Sequence, residues 1–143
     1  MTLEPFTFLE HTADAKFIAR GKTLEEAFAN AARATFAIMT DIALVKQTIA
    51  KTIEVKATKL EPLLYDFLEA LIYYLDTEGF LLAKVTSLDI IRDNDQFILK
   101  ANILGDSAES YDVHTAVKSV TYNDMFINQD DQGHYEIQVV HDL

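Results

Sequence analysis

The sequence predicts an α+β fold: a two-layer sandwich whose mixed sheet of about six strands carries two amphipathic helices on one face. Three observations point there. Two stretches place apolar residues at helical spacing, and each has only one apolar stripe to bury. Several others alternate apolar and polar residues as half-buried strands do, most of them late in the chain and in hairpin order. Only four glycines and two prolines interrupt 143 residues, so the chain is dense in regular structure and reads as one domain, 1–143, without linker or repeat.

Taken in order, Thr7 to Leu9 and Ala15 to Arg20 read as short strands flanking His11-Thr12-Ala13-Asp14. Gly21 ends the second. Thr23-Leu24-Glu25-Glu26 matches a capping box, with Thr23 as the cap and Glu26 reaching back. Leu24, Ala27, Phe28, Ala31, Thr35 and Ile38 follow at helical spacing, and this helix should run to about Met39. Ile49 to Ala57 alternates cleanly as a strand. Leu60, Leu64, Phe67, Leu68, Leu71, Ile72 and Leu75 form the stripe of the second helix, with Pro62 tolerated only near its start. Phe80 to Ile91 and Gln96 to Leu104 read as a hairpin closed at Asp93-Asn94-Asp95. Lys118 to Asn128 and His134 to Val140 form another pair. The apolar phase of the former slips near Asn123-Asp124, which predicts a bulge.

Charge and composition exclude several functions. Lys and Arg total 12 against 23 Asp and Glu, a net charge of −11. Broad contact with a phosphate backbone needs the opposite sign, so extended nucleic-acid binding is not expected. Such a surface suits either plain solubility or steering toward a basic partner. There is no cysteine, which rules out disulfides, zinc-thiolate sites and thiol nucleophiles. Met1-Thr2-Leu3-Glu4-Pro5 lacks the regions of a signal peptide, and no apolar run reaches the roughly 18 residues of a membrane span. A cytoplasmic location is expected.

The familiar phosphate-loop, dinucleotide, zinc-protease and nucleophile-elbow motifs are absent. Asp93-Asn94-Asp95 and Asp130-Asp131 lack the ligand spacing of an EF-hand and read as hairpin turns. Two clusters remain: Glu10-His11-Thr12-Ala13-Asp14, and Val139-Val140-His141-Asp142-Leu143, where a strand runs into the terminus. Asp14, Asp142 and the Leu143 carboxylate are hard anionic oxygens of the kind calcium and magnesium prefer. Nothing in the sequence alone brings the two clusters together. A turn-capping Asp14 and a solvated Asp142 are the alternative readings. His11 reads as either a structural histidine or a ligand or base; His114, His134 and His141 rank below it. Lys118, opening an apolar strand, is a solvated cation or a positive charge beside the carboxylates.

These motifs together resemble the archease family. Glu10-His11-Thr12-Ala13-Asp14 is similar to its opening motif, and Gly21 with Leu24-Glu25-Glu26-Ala27-Phe28 to its next block. Glu61 to Glu69 resembles its central helix. Val117-Lys118-Ser119-Val120-Thr121-Tyr122-Asn123-Asp124-Met125 resembles its late strand motif, and Val139 to Leu143 its ending. The resemblance implies a non-catalytic protein activator of the RtcB-type tRNA-splicing RNA ligase, which promotes ligase guanylylation and multiple turnover. GTP and manganese belong to the ligase. It implies one bound divalent cation, calcium, held by Asp14, Asp142 and the Leu143 carboxylate, with His11 as a possible support behind them. It implies that Lys118 serves activation of the partner. Asn123 and Ser119 stand where the family motif usually has His and Ala, so a catalytic role for that histidine does not transfer.

Two other functions fit the residues. One is a small metal-dependent phosphohydrolase, with Asp14 and Asp142 holding the metal and His11 as base; the lack of a glycine loop or arginine cluster counts against it. The other is an acidic chaperone-like module for RNA-modifying enzymes.

Overall fold

The computed structural model describes residues 4–9 and 14–143. Seven strands and two long helices run in the order β1 (Phe6–Leu9), β2 (Asp14–Gly21), α1 (Leu24–Met39), β3 (Ile49–Ala57), α2 (Leu60–Glu78), β4 (Phe80–Asp93), β5 (Gln96–Ser107), β6 (Ser119–Gln129) and β7 (Tyr135–Asp142). Short 3-10 turns at Ile42–Leu44 and Ala108–Ser110 complete the chain. The α+β sandwich is as expected, with one correction of detail. In place of a mixed sheet of about six strands there are two sheets, ordered β1-β2-β7-β6 and β3-β5-β4. Every pairing described within them is antiparallel. Neither helix keeps to one sheet: α1 lies against β2 and β7 of the first and β4 of the second, while α2 lies against β6 of the first and all three strands of the second.

Local chemistry accounts for the elements. The Thr23 hydroxyl accepts from the Glu26 N–H (3.1 Å), and the Glu26 carboxylate accepts from the Lys22 N–H (3.3 Å), so two otherwise unpaired donors at the start of α1 are satisfied. Gly79 ends α2 with φ +65°, a left-handed cap that a side chain would strain. The α2 stripe is the core: Leu64, Phe67, Leu68 and Leu71 are fully buried, and the Phe67 ring stacks on Phe28 of α1 at 6.4 Å.

Two strands, β6 and β4, bulge where their partners do not. The slip expected near Asn123 is present: Tyr122 to Met125 stand opposite the single residue Val139, and Asp124 takes φ +54°. In β4, two further bulges flank Lys84 and Val85. The second half of β7 ends between β2 and β6, which makes it the centre of its sheet and brings three strand ends together.

Candidate functional site

The register of β7 builds the site. On one side Asp142 is paired with Asp14 of β2, and on the other with Ser119 of β6. The Lys118 N–H donates to the Asp142 carbonyl oxygen at 2.9 Å. Side-chain direction follows from alternation along the strands. Phe17 and Ala19 are buried toward the helices, as are Ile137, Val139 and His141, so Asp14 and Asp142 both point to the opposite face. Directly opposed residues of an antiparallel pair have Cβ atoms about 4.5–5.5 Å apart. Two carboxylates therefore share one small patch at the end of the sheet. Asp14 is half-buried, while Asp142, Leu143 and Lys118 are exposed.

The next cation along that face is already engaged. The Lys16 ammonium lies 3.6 Å from the Asp124 carboxylate, which the β6 bulge carries over the sheet, and the Gln138 amide donates to the Asp124 carbonyl oxygen (2.8 Å). The bulge also exposes Tyr122, whose ring stacks on Tyr65 of α2 at 4.4 Å. Desolvation, with Asp66 nearby, pushes the Tyr122 hydroxyl pKa up.

The donor chemistry of Asp14 and Asp142 fits a hard cation such as calcium. Two carboxylates are fewer ligands than such an ion takes. Among the described residues no group of three or more His, Asp or Glu gathers as a metal site requires. Glu10 and His11 lie outside the described residues.

Directly behind Asp142 the sequence reading missed a feature. His141 is fully buried against Phe17, with ring centroids 5.7 Å apart. Its Nε2 meets the Thr35 hydroxyl at 2.9 Å, and that hydroxyl donates to the Ala31 carbonyl oxygen at 2.9 Å. With the hydroxyl proton so committed, Nε2 carries the proton and donates to Thr35. Nδ1 has no hydrogen-bond partner among the described residues. Burial lowers the His141 pKa to about 4, opposed in part by the Ser119 backbone. The ring faces away from the carboxylates and is no ligand to an ion there. The signal was present in the sequence: His141 shares the parity of Ile137 and Val139.

The remaining histidines are placed elsewhere. His134 lies beside a hairpin turn, where the Asp130 carboxylate accepts from the Gln132 and His134 N–H groups, both at 2.9 Å. The His114 N–H donates to the Met39 carbonyl oxygen (3.0 Å) at the end of α1. Asp93-Asn94-Asp95 forms the tight turn between β4 and β5, with Asn94 at φ +56°.

No helix among the described residues is long and apolar enough to cross a membrane. The Archease protein family matches residues 6–143. The chain is 38% identical over 141 residues to the protein archease of Sulfolobus acidocaldarius, covering 96% of this chain and 98% of that one. It is 36% identical over 143 residues to the protein archease of Methanosarcina barkeri, covering 96% and 95%. The solution structure of Methanobacterium thermoautotrophicum protein 1598 superposes with a TM-score of 0.84 at 34% identity, over 97% of this chain and 99% of that one. A match over nearly the whole chain in both sequence and fold, with the late-strand and end motifs meeting at one sheet end, makes this chain a member of the archease family.

Proposed function

We propose that this chain is a non-catalytic cytoplasmic activator of an RtcB-type tRNA-splicing RNA ligase, promoting guanylylation of the ligase and its repeated turnover. Family membership supports this reading. The structural observation that carries it is the opposition of Asp14 and Asp142 across two strands, with Lys118 hydrogen-bonded to the backbone of Asp142. Like charges directly opposed on a sheet oppose folding, so the arrangement suits a bound cation. Asp14 and Asp142 would hold one calcium ion, joined by the Leu143 carboxylate. When bound, the ion supplies positive charge that offsets their repulsion. Lys118, exposed beside them, then acts on the partner rather than on the fold. A net charge of −11 favours docking on a basic protein surface and disfavours contact with an RNA backbone. GTP and manganese remain the ligase's own.

The test is transfer of labelled GMP from GTP to the ligase, with and without this chain, followed by ligation of a broken tRNA with the ligase at substoichiometric concentration. Faster guanylylation and repeated turnover are expected. No gain in either removes the activator reading. Phosphoester hydrolysis by this chain alone would put the metal-dependent phosphohydrolase in its place.

A further inference from the structure

A second site lies away from the carboxylates. A cavity of about 450 Å³ opens between α1, the 3-10 turn at Ile42–Leu44 and β4. Its charge is inverted relative to the chain. Acidic residues outnumber basic ones 23 to 12, yet Arg33 and Lys84 both line this cavity and no Asp or Glu does.

Arg33 is held in place by neutral partners. One Arg33 N–H donates to the Asn30 Oδ1 at 3.3 Å, and Asn30 is itself anchored, buried, by donating to the Arg20 carbonyl oxygen at 2.7 Å. The Arg33 guanidinium also lies over the Phe6 ring, 6.0 Å from its centroid. Among the described residues no carboxylate pairs with Arg33. Lys84 sits on the short segment of β4 that the two bulges isolate. Each bulge sets two β4 steps against one of β5, which bends the strand and re-aims its side chains. The Gln47 amide adds a neutral donor, and Ile42, Val45 and Val85 add apolar wall.

We infer that this cavity binds a phosphorylated small molecule, its phosphate between Arg33 and Lys84 and its body on the apolar wall. A guanidinium presents a planar fork that matches phosphate oxygens, and an ammonium adds a point charge. A phosphate monoester carries about −1.5 to −2 charges at neutral pH, which two cations balance. The volume lies within the roughly 300–1,000 Å³ of small-molecule sites and exceeds what an inorganic anion fills. This inference stands independently of the ligase proposal.

The experiment is a two-dimensional amide NMR titration of the isotope-labelled full chain with adenosine 5′-monophosphate, adenosine and inorganic phosphate. The monophosphate should give saturable shifts at residues 42–47 and 83–85, tighter than inorganic phosphate by at least tenfold, while adenosine gives none. Arg33→Ala and Lys84→Glu should each weaken the monophosphate at least tenfold. Lys84 is exposed, so the Lys84→Glu chain keeps its fold and decides the matter even if Arg33→Ala loses stability. Adenosine shifting the same amides as strongly as its monophosphate, no saturable shift at all, or unchanged affinity in Lys84→Glu overturns the inference.

Discussion

Asp14 and Asp142, 128 positions apart in the sequence, are direct partners in the β2–β7 ladder and present their carboxylates on the same face. That pairing yields two opposite expectations for one substitution. Removing the charge of Asp142 as Asp142→Asn relieves a like-charge pair, typically about 0.2–1 kcal/mol across strands, so the chain in chelator should melt at a slightly higher temperature. The same variant loses an anionic ligand, so calcium should raise its melting temperature far less than that of the unaltered chain. Calorimetry with equal calcium affinity in Asp14→Asn, Asp142→Asn and the unaltered chain removes the proposed metal site. A peptide extension after Leu143 is the finer version: it replaces a carboxylate by a neutral carbonyl and should weaken calcium more than a tag before Met1.

Lys118 should separate activity from folding. Its backbone N–H holds Asp142, a bond that Lys118→Ala retains, and its ammonium is exposed. Lys118→Ala should therefore keep the denaturation midpoint within the roughly 0.5 kcal/mol usual for surface changes while ligase guanylylation falls. If calcium affinity falls with it, the lysine acts through the carboxylates. If calcium affinity holds, it acts on the partner. Full ligase turnover with Lys118→Ala would reduce it to a solvated surface residue.

His141 makes stability depend on pH. Its folded pKa of about 4 lies below the ordinary value of 6.5, so the unfolded chain binds the additional proton between these values. Stability from this group is complete above pH 6.5 and declines as pH falls toward 4, by on the order of 3 kcal/mol in all. His141→Phe should flatten that stretch of the stability profile, since the Thr35 hydroxyl keeps its bond to the Ala31 carbonyl oxygen. An unchanged slope between pH 4 and 6.5 in chemical denaturation would assign the dependence to other groups.

The core makes the least ambiguous expectation. Phe67 and Leu71 are wholly buried between helix and sheets, and truncating either to Ala should cost about 2–5 kcal/mol. Gly105→Ala tests the same core by overfilling. A β-carbon there would collide with the Leu81 carbonyl oxygen and lie 2.7 Å from the Phe80 ring, for a cost of about 1–3 kcal/mol. Urea midpoints decide both; three unaltered midpoints would show that this region is not the packed centre.

What the sequence determined by itself was local. The alternation of Ile49 to Ala57 delivers β3 with the same bounds, because a strand's faces repeat every second residue. The stripe from Leu60 to Leu75 delivers α2, because only one face of a helix needs covering. The slipped phase at Asn123 delivers the bulge. Tertiary structure alone decided which of these elements meet. No local preference sets Asp14 across from Asp142, divides the strands into two sheets, or aims Lys84 and Arg33 into one cavity. Those outcomes come from long-range strand register and from packing each helix against both sheets, where the contacting residues lie tens of positions apart in the chain. His141 stands between the two regimes: its parity announces an inward face, but only its fit against Phe17 and Thr35 makes it a buried, neutral ring.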